Sequence, residues 1–236
     1  MPAVNLDPTE VEKFESLAQR WWDPDSEFRP LHDINNVRLR FIADHSLIDG
    51  ADILDVGCGG GILTESLANL GAHTTGIDPA QGSLTVAKLH AIEMGLENRI
   101  RYLQTTAEEF VEIEPSSYDI VTCLEILEHV PDFSQTVHAL AGLIRPGGHL
   151  FLSTISRNPL AYLVAILGAE YALNVLPRGT HDYRKFIKPS ELSSAVRTAG
   201  LVVKRVAGYR YNPLTRSATL ASDANVNYLM HAIKPE

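Results

Sequence analysis

The sequence predicts an α/β fold in which a mostly parallel, seven-stranded sheet carries helices on both faces. Two observations predict this fold class. Between residues 51 and 155, short apolar runs typical of buried strands alternate with segments of helical periodicity. The first run also ends in a cluster of glycines that opens a helix, as expected where a strand turns into the helix that crosses a parallel sheet.

The first 48 residues precede this alternation and are expected to form a helical cap. Thr9 and Glu12 have the spacing of a capping box, which predicts that a helix begins there. Apolar residues then recur every three or four positions as far as Trp21 and Trp22, and Pro24 is expected to end this helix. A second helix is predicted over residues 34–46.

The remaining elements follow in chain order. Strands are predicted at residues 51–56, 72–77, 100–103, 118–124, 150–155, 201–209 and 227–233. Helices are predicted at residues 62–70, 83–94, 133–144 and 189–198, and the last of these is closed by Gly200. A long loop that opens at Asn212–Pro213 is expected between the last two strands.

Composition excludes several classes of protein. The 236 residues include 45% hydrophobic ones, enough for a large core, and the formal net charge of −9 argues against nucleic acid as a partner. The two cysteines, Cys58 and Cys123, match no metal-site spacing and predict a reducing compartment. No signal peptide and no run of about 18 apolar residues is found, so the protein is expected in the cytoplasm.

The glycine cluster at residues 57–61 predicts a nucleotide-like ligand. Four glycines in five positions exceed what a tight turn requires, and they let a ligand approach the backbone. A dinucleotide fingerprint would place its third glycine at Ile62, and no P-loop Lys-Ser/Thr pair follows. Asp78, at the end of the second strand, can accept both hydroxyls of a ribose. The ligand is therefore expected to carry an adenosine without phosphates.

The segment Asp55-Val-Gly-Cys-Gly-Gly-Gly61, taken with Asp78, resembles the Rossmann-like S-adenosylmethionine-dependent methyltransferases. The resemblance implies that Gly57 and Gly59 line the methionine end of the cofactor and that Asp78 binds its ribose. It also places the adenine beside Ala107–Glu108 and Leu124 near the cofactor.

More specific blocks resemble the ubiquinone-biosynthesis O-methyltransferases, and together they span nearly the whole chain. These blocks are Trp21-Trp22-Asp23, Phe28-Arg-Pro-Leu-His32, Gly179-Thr-His-Asp182 and Tyr211-Asn-Pro-Leu-Thr215. In that family the arginine matching Arg38 contacts the cofactor, whereas a surface arginine is the alternative from sequence alone. The implied division is a single domain, with a cap (1–48), a cofactor-binding core (49–155), an apolar and basic insertion (156–188) and a C-terminal helix with strands (189–236).

Methyl transfer to a phenolic oxygen needs a base or a metal ion, because a phenol has a pKa of about 10. Glu125, Glu128 and His129 follow the fourth strand as E-x-x-E-H, and a helix there would place all three on one face. The resemblance implies a divalent metal on this motif, with Mg²⁺ the first choice and Zn²⁺ or Mn²⁺ also open. Alternatively, the carboxylates only cap a turn before Pro131.

His181, next to Asp182, is a further candidate base, with a loop-ordering pair as the alternative. Glu128 and His129 are the other catalytic candidates.

Residues 159–177 carry a single charge, Glu170, between basic flanks. Such a segment suits peripheral contact with an anionic membrane, from which a polyprenylated substrate can be taken, although a core or dimer helix would read the same way.

The resemblance therefore implies methylation of polyprenylated phenol and catechol hydroxyls in ubiquinone biosynthesis, in contact with other proteins of that pathway. The rival functions are a quinone C-methyltransferase and a non-catalytic S-adenosylmethionine-binding scaffold. A nicotinamide oxidoreductase is disfavoured by Ile62.

Overall fold

The computed structural model describes residues 5–162 and 182–236. One eight-stranded sheet runs through it, in the order β3-β2-β1-β4-β5-β8-β6-β7. Its strands are β1 (Asp52–Val56), β2 (His73–Asp78), β3 (Ile100–Gln104), β4 (Tyr118–Leu124), β5 (Ile144–Ile155), β6 (Val202–Asn212), β7 (Ser217–Ala221) and β8 (Asn227–Ile233).

The α-helices lie before and between the strands. They are α1 (Pro8–Leu17), α2 (Arg29–Ala43), α3 (Ile62–Asn69), α4 (Gln81–Glu93), α5 (Ala107–Phe110), α6 (Phe133–Leu143), α7 (Pro159–Ala161) and α8 (Pro189–Thr198). Short 3₁₀ turns at Ala18–Arg20 and Tyr183–Lys185 complete the described helical segments.

The first five strands of the sheet, β3 to β5, pair in parallel, and the last three pair antiparallel. The predicted fold class and its seven strands are confirmed, and β7 adds an eighth strand where a loop was expected. β7 pairs only with β6 at the sheet edge, so its residues remain partly exposed and lack the apolar run of a buried strand. The turn before it is held by the Asn212 side chain, which accepts from the Leu214 and Thr215 N–H groups.

Helices cover both faces of the sheet, as predicted. On one face, Leu54 and Val121 pack with α6 and α8 through residues such as Leu140 and Leu192. On the other face, a second cluster joins the sheet to α2 and α3; it includes Phe41, Ile53, Leu67, Ile120, Phe151 and Leu229. The alternation of side chains along each strand therefore feeds two separate cores.

The N-terminal helix begins earlier than its predicted capping box. Asp7, rather than Thr9, is the N-cap, and its carboxylate accepts the Thr9 N–H at 3.1 Å. Pro8 occupies the first turn, where its missing N–H costs nothing. The capping box at Thr9 is therefore wrong by two residues, and α1 ends at Leu17 rather than near Pro24.

Candidate functional site

The glycine loop joins β1 to α3 at the carboxyl end of the parallel strands. Gly57, Gly59 and Gly61 have φ values of 70°, 52° and 87°, in the left-handed region that favours glycine. The loop is pinned to β2 by the N–H groups of Gly57 and Cys58, which both donate to the Ile77 carbonyl.

Protein side chains fill the space beside the loop glycines. A Cβ on any of them would fall 2.3–2.4 Å from a neighbour, namely Ile126 at Gly57, Trp21 at Gly59 and Gly60, and the Tyr102 hydroxyl at Gly61. Packing against the protein therefore requires these glycines as much as the approach of a ligand does. This accounts for the excess of glycines over what a turn needs.

Asp78 ends β2 beside this loop and is buried. One carboxylate oxygen accepts the Gly59 N–H at 2.9 Å, and the other accepts the Ala80 N–H at 2.8 Å. Burial raises the pKa of Asp78 to about 6, although the two backbone donors act to lower it. The carboxylate thus braces the glycine loop and remains an acceptor for further hydroxyl groups.

Arg38 lies on α2 and is 5% exposed, so it is not a surface arginine. Its Nη2 is 3.7 Å from Glu125 Oε1, and its Nε and Nη2 atoms have no hydrogen-bond partner. Buried donors without partners cost free energy unless a ligand satisfies them. The guanidinium of Arg38 can therefore bind a carboxylate or another anion by donating hydrogen bonds to it.

Glu125 directly follows β4 and has a φ of 59°, unusual for a residue other than glycine. Its Oε1 accepts from the Ser153 hydroxyl at 2.6 Å and from the Tyr209 hydroxyl at 2.8 Å. Residues 125–129 form bends and turns, so the helix that would have aligned the E-x-x-E-H motif is absent.

The other two members of the motif point elsewhere. Glu128 is buried and accepts from the Thr154 hydroxyl at 2.8 Å; burial, reinforced by the charge of Glu125, raises its pKa to about 7. The Nδ1 of His129 lies 2.9 Å from the carboxylate of Glu10 on α1. The hydrogen bond from His129 holds the pKa of Glu10 below its usual value, so this carboxylate accepts and Nδ1 carries the proton.

These side chains do not fit a metal in the arrangement seen. Glu125, Glu128 and His129 each have a different partner, and no cluster of three or more His, Cys, Asp or Glu residues suited to a metal ion occurs in the described parts of the chain. The expected metal site is therefore not formed by this conformation.

One cavity at the carboxyl edge of the sheet brings several of the predicted residues together. Gly57, Asp78 and His129 line it. Four groups of residues add to the lining: Asn5, Glu10 and Phe14 of the N-terminal segment; Ala80 after β2; Thr106, Ala107 and Glu108 after β3; and Ile126 after β4 with Thr136 on α6. Ala107 and Glu108 thus lie where the resemblance places an adenine.

Other predicted residues lie outside this cavity's wall. Leu124 is buried at the end of β4 in the core that contains Phe41 and Tyr209. Arg38 is not among the residues that line the cavity, and it lies next to Glu125. His181 falls outside the described residues, and its neighbour Asp182 binds Arg184.

The N-terminal contributions escaped sequence reasoning. Glu10 is 119 positions from His129, and Asn5 reaches the Glu108 carboxylate at 2.8 Å and the Thr136 hydroxyl at 2.9 Å. Such contacts leave no local signal in a single sequence. In the N-terminal segment, the sequence offers only helical periodicity and the blocks at Trp21–Asp23 and Phe28–His32 that carry the resemblance.

Comparison with known proteins agrees with this fold. A family model described as "Methyltransferase domain" matches residues 54–152. Among solved structures, magnesium protoporphyrin IX methyltransferase from Synechocystis PCC 6803 with bound SAH shares the fold, with a TM-score of 0.72 at 18% identity, covering 97% of this chain and 100% of that one.

Curated relatives are much closer in sequence. The ubiquinone biosynthesis O-methyltransferase of Nitrosospira multiformis is 56% identical, over 97% of this chain and 95% of its own length. The enzyme of the same name from Hahella chejuensis is 53% identical, over 99% and 98% respectively. Identity at this level over almost the entire length shows the family. The chain belongs to the ubiquinone biosynthesis O-methyltransferases, which are S-adenosylmethionine-dependent enzymes of the Rossmann-like class.

Proposed function

We propose that this protein transfers a methyl group from S-adenosylmethionine to a phenol or catechol hydroxyl of polyprenylated intermediates in ubiquinone synthesis. The acceptors are of the 3-demethylubiquinol and polyprenyl-hydroxyphenol type. Full-length identity above 50% to enzymes of that name is the observation that carries the proposal.

The cofactor fits the donors and acceptors of this site. Bound there, it supplies the methyl group on its sulfonium. Asp78 would accept the ribose hydroxyls, and Gly57 and Gly59 would face the methionine end. The unpartnered N–H groups of Arg38 suit the cofactor's carboxylate, and Leu124 would pack nearby.

His129 is the proposed base for the acceptor's proton. Because Nδ1–H donates to Glu10, Nε2 is left as the ring's acceptor, and the ring lines the cavity. A carboxylate that fixes the tautomer of a histidine base is the arrangement of many proton-transfer sites. We propose that buried Glu128, in its ionised form, adds negative charge beside the imidazolium that forms. This mechanism uses no metal ion, because Glu125, Glu128 and His129 each contact a different partner and do not meet at one point.

Transfer of labelled methyl to a short-chain demethylubiquinol tests the reaction, with product regiochemistry separating oxygen from carbon methylation. We expect His129→Asn to lower kcat by about 10²–10⁴-fold, the usual contribution of a general base. Glu10→Gln should lower kcat less and shift the pH profile. His73→Asn, an exposed histidine on β2, is the control. Cofactor binding without transfer by the wild-type chain would favour the scaffold.

Metal dependence is measured in the same assay with EDTA and with Mg²⁺, Zn²⁺ or Mn²⁺ added back. Full activity in EDTA supports the metal-free arrangement described here. Activity lost in EDTA and restored by one cation, but not in Glu125→Ala, would show that the motif rearranges to bind that cation.

We also propose peripheral contact with anionic membranes through residues 159–177, and contact with other enzymes of the pathway. Most of this segment lies outside the described residues. Of its basic flanks, Arg157 binds Glu191 and Lys185 binds Asp7. Within the described parts of the chain, no helix is long and apolar enough to cross a membrane. Failure of anionic liposomes to sediment the protein at low salt would contradict the membrane contact.

A further inference from the structure

The only two tryptophans of the chain, Trp21 and Trp22, both lie against the glycine loop. They follow the 3₁₀ turn Ala18–Arg20 and belong to the segment that precedes the sheet. None of the roles assigned above uses either indole.

Trp22 ties the loop to two helices. Its Nε1–H donates to the Gly60 carbonyl at 2.9 Å. Its ring lies parallel to the His90 ring, with centroids 3.5 Å apart and planes 6° apart. His90, on α4, in turn binds the Glu65 carboxylate of α3 at 2.8 Å. The orientation of the Gly60 peptide is therefore coupled to α3 and α4.

Trp21 covers the back of the same loop. The residue is 6% exposed, and its side chain occupies the space that a Cβ on Gly59 or Gly60 would need. It stacks on Phe28 with centroids 3.7 Å apart, and its Nε1–H donates to the Ser83 hydroxyl at 2.9 Å. The loop is thus held between this indole on one side and Asp78 on another.

We propose that Trp21 and Trp22 are positioning residues that preorganise the glycine loop for S-adenosylmethionine. A run of glycines has the largest backbone freedom of any sequence, so binding a ligand on it costs entropy unless the protein fixes the loop beforehand. Here Asp78 fixes the Gly59 N–H and Trp22 fixes the carbonyl of the next residue. The inference rests on the proposed cofactor site.

Trp22→Phe is the direct test, because it removes the indole N–H and keeps an aromatic ring to stack on His90. We expect the Kd for S-adenosylhomocysteine, measured by calorimetry, to rise about threefold to tenfold, as for the loss of one hydrogen bond. The KM for S-adenosylmethionine should rise in parallel, while kcat changes less than twofold.

Lys234→Met is the matched control. It also removes a side-chain donor from backbone carbonyls, those of Ala141 and Ile144, but at the amino end of β5, whereas the loop lies at the carboxyl end of β1. We expect it to lower the Tm without changing the Kd for S-adenosylhomocysteine. If Trp22→Phe and Lys234→Met weaken S-adenosylhomocysteine binding equally, the Trp22 indole only stabilises the fold and the proposal is overturned.

Fluorescence gives an independent readout, because each single Trp→Phe variant leaves one indole as the only tryptophan. We expect the emission of Trp22 in Trp21→Phe to change when S-adenosylhomocysteine binds. If Trp22→Phe binds S-adenosylhomocysteine with the wild-type Kd, the inference about the tryptophans is overturned, but the cofactor assignment is not. A wild-type chain that binds no S-adenosylhomocysteine would overturn the cofactor assignment with it, whereas binding without methyl transfer would overturn only the acceptor.

Discussion

At the scale of single residues, the site combines side chains that are costly to bury with contacts that only a ligand can complete. Arg38 is the clearest case, since a guanidinium that is 5% exposed keeps two nitrogen atoms without partners. Its contact with Glu125, at 3.7 Å, is longer than a hydrogen bond. We therefore expect the cofactor to supply hydrogen-bond partners for these nitrogen atoms. The free energy lost by burying them unpaired would then be recovered on cofactor binding.

Arg38→Lys should therefore weaken cofactor binding while preserving the charge. An ammonium cannot reproduce the planar, two-pronged donation of a guanidinium, and hydrogen bonds to charged groups contribute about 1.5–3 kcal/mol. We expect the Kd for S-adenosylhomocysteine to rise by about tenfold to a hundredfold in calorimetry. Arg40→Lys, an exposed change on the same helix, should leave it unchanged. An unchanged Kd in Arg38→Lys would contradict the assignment.

Asp78 makes cofactor affinity depend on pH. Its pKa of about 6 means that, in the free protein, the carboxylate takes up a proton as the pH falls below 6. If only the ionised form accepts both ribose hydroxyls, the Kd should rise about tenfold from pH 7 to pH 5. Calorimetry across this range measures it. Asp78→Asn should bind weakly with a flat profile, and a flat profile in the wild type would contradict the role.

At the scale of elements, α1 differs from the other long helices because none of its residues is buried. Phe14 and Leu17 pack against the Trp21 cluster, and polar contacts add to this: Glu10 to His129, Asp7 to Lys185, and Glu15 to the Gly82 N–H at 2.8 Å. The ion pairs among these contacts are only partly buried, so salt screens them and each contributes little stability. The helix nevertheless lines the cavity through Glu10, so its docking and cofactor binding should be coupled.

Hydrogen exchange should reveal this coupling. We expect the amides of α1 to exchange fastest among the long helices in the free protein and to become protected when S-adenosylhomocysteine is bound. Amides of α8, which lies away from the cavity, serve as the internal reference. If the exchange rates of the α1 amides do not change when the ligand binds, the docking of α1 is not coupled to cofactor binding and the prediction is wrong.

The same elements show what a single sequence can predict. The glycine loop and Asp78 were found because strand, turn and acid follow one another within about 25 residues and are governed by local rules. The Glu10–His129 pair depends on a packing arrangement between distant segments. The N-cap at Asp7 was missed because two capping residues compete within three positions. The helix expected over the E-x-x-E-H motif does not form, because the positive φ of Glu125 ends any helical continuation after β4.

At the scale of the whole molecule, buried His231 and half-buried His149 join two strands of the sheet and tie its stability to pH. His149 Nδ1 on β5 is 2.9 Å from His231 Nε2 on β8, and the His45 ring lies 5.1 Å from that of His231. Burial lowers the pKa of His231 to about 4, and the neighbouring His149, His45 and Lys204 add to this effect. The folded protein therefore binds a proton here less readily than the unfolded chain.

Acid should accordingly destabilise the fold through His231. The stabilisation by neutral His231 is fully present above pH 6.5 and is lost as the pH falls toward 4. At pH 5 the loss in unfolding free energy amounts to about 2 kcal/mol. Asp78 and Glu128, whose pKa values are raised, act in the opposite sense. Urea unfolding at pH 7 and pH 5 should show a smaller difference in unfolding free energy in His231→Gln than in the wild type or in His73→Gln. An equal difference would contradict this role.

The strand order has a consequence for biosynthesis. Among the described strands, β8 is the last to leave the ribosome, yet it lies inside the sheet between β5 and β6. A nascent chain that has completed β7 therefore exposes two unpaired strand edges, which are templates for misassociation. The parallel half can form early, but the β6–β7 hairpin cannot join it until β8 is available to pair with both β5 and β6. Pausing of translation before residue 227 should thus increase the need for a chaperone.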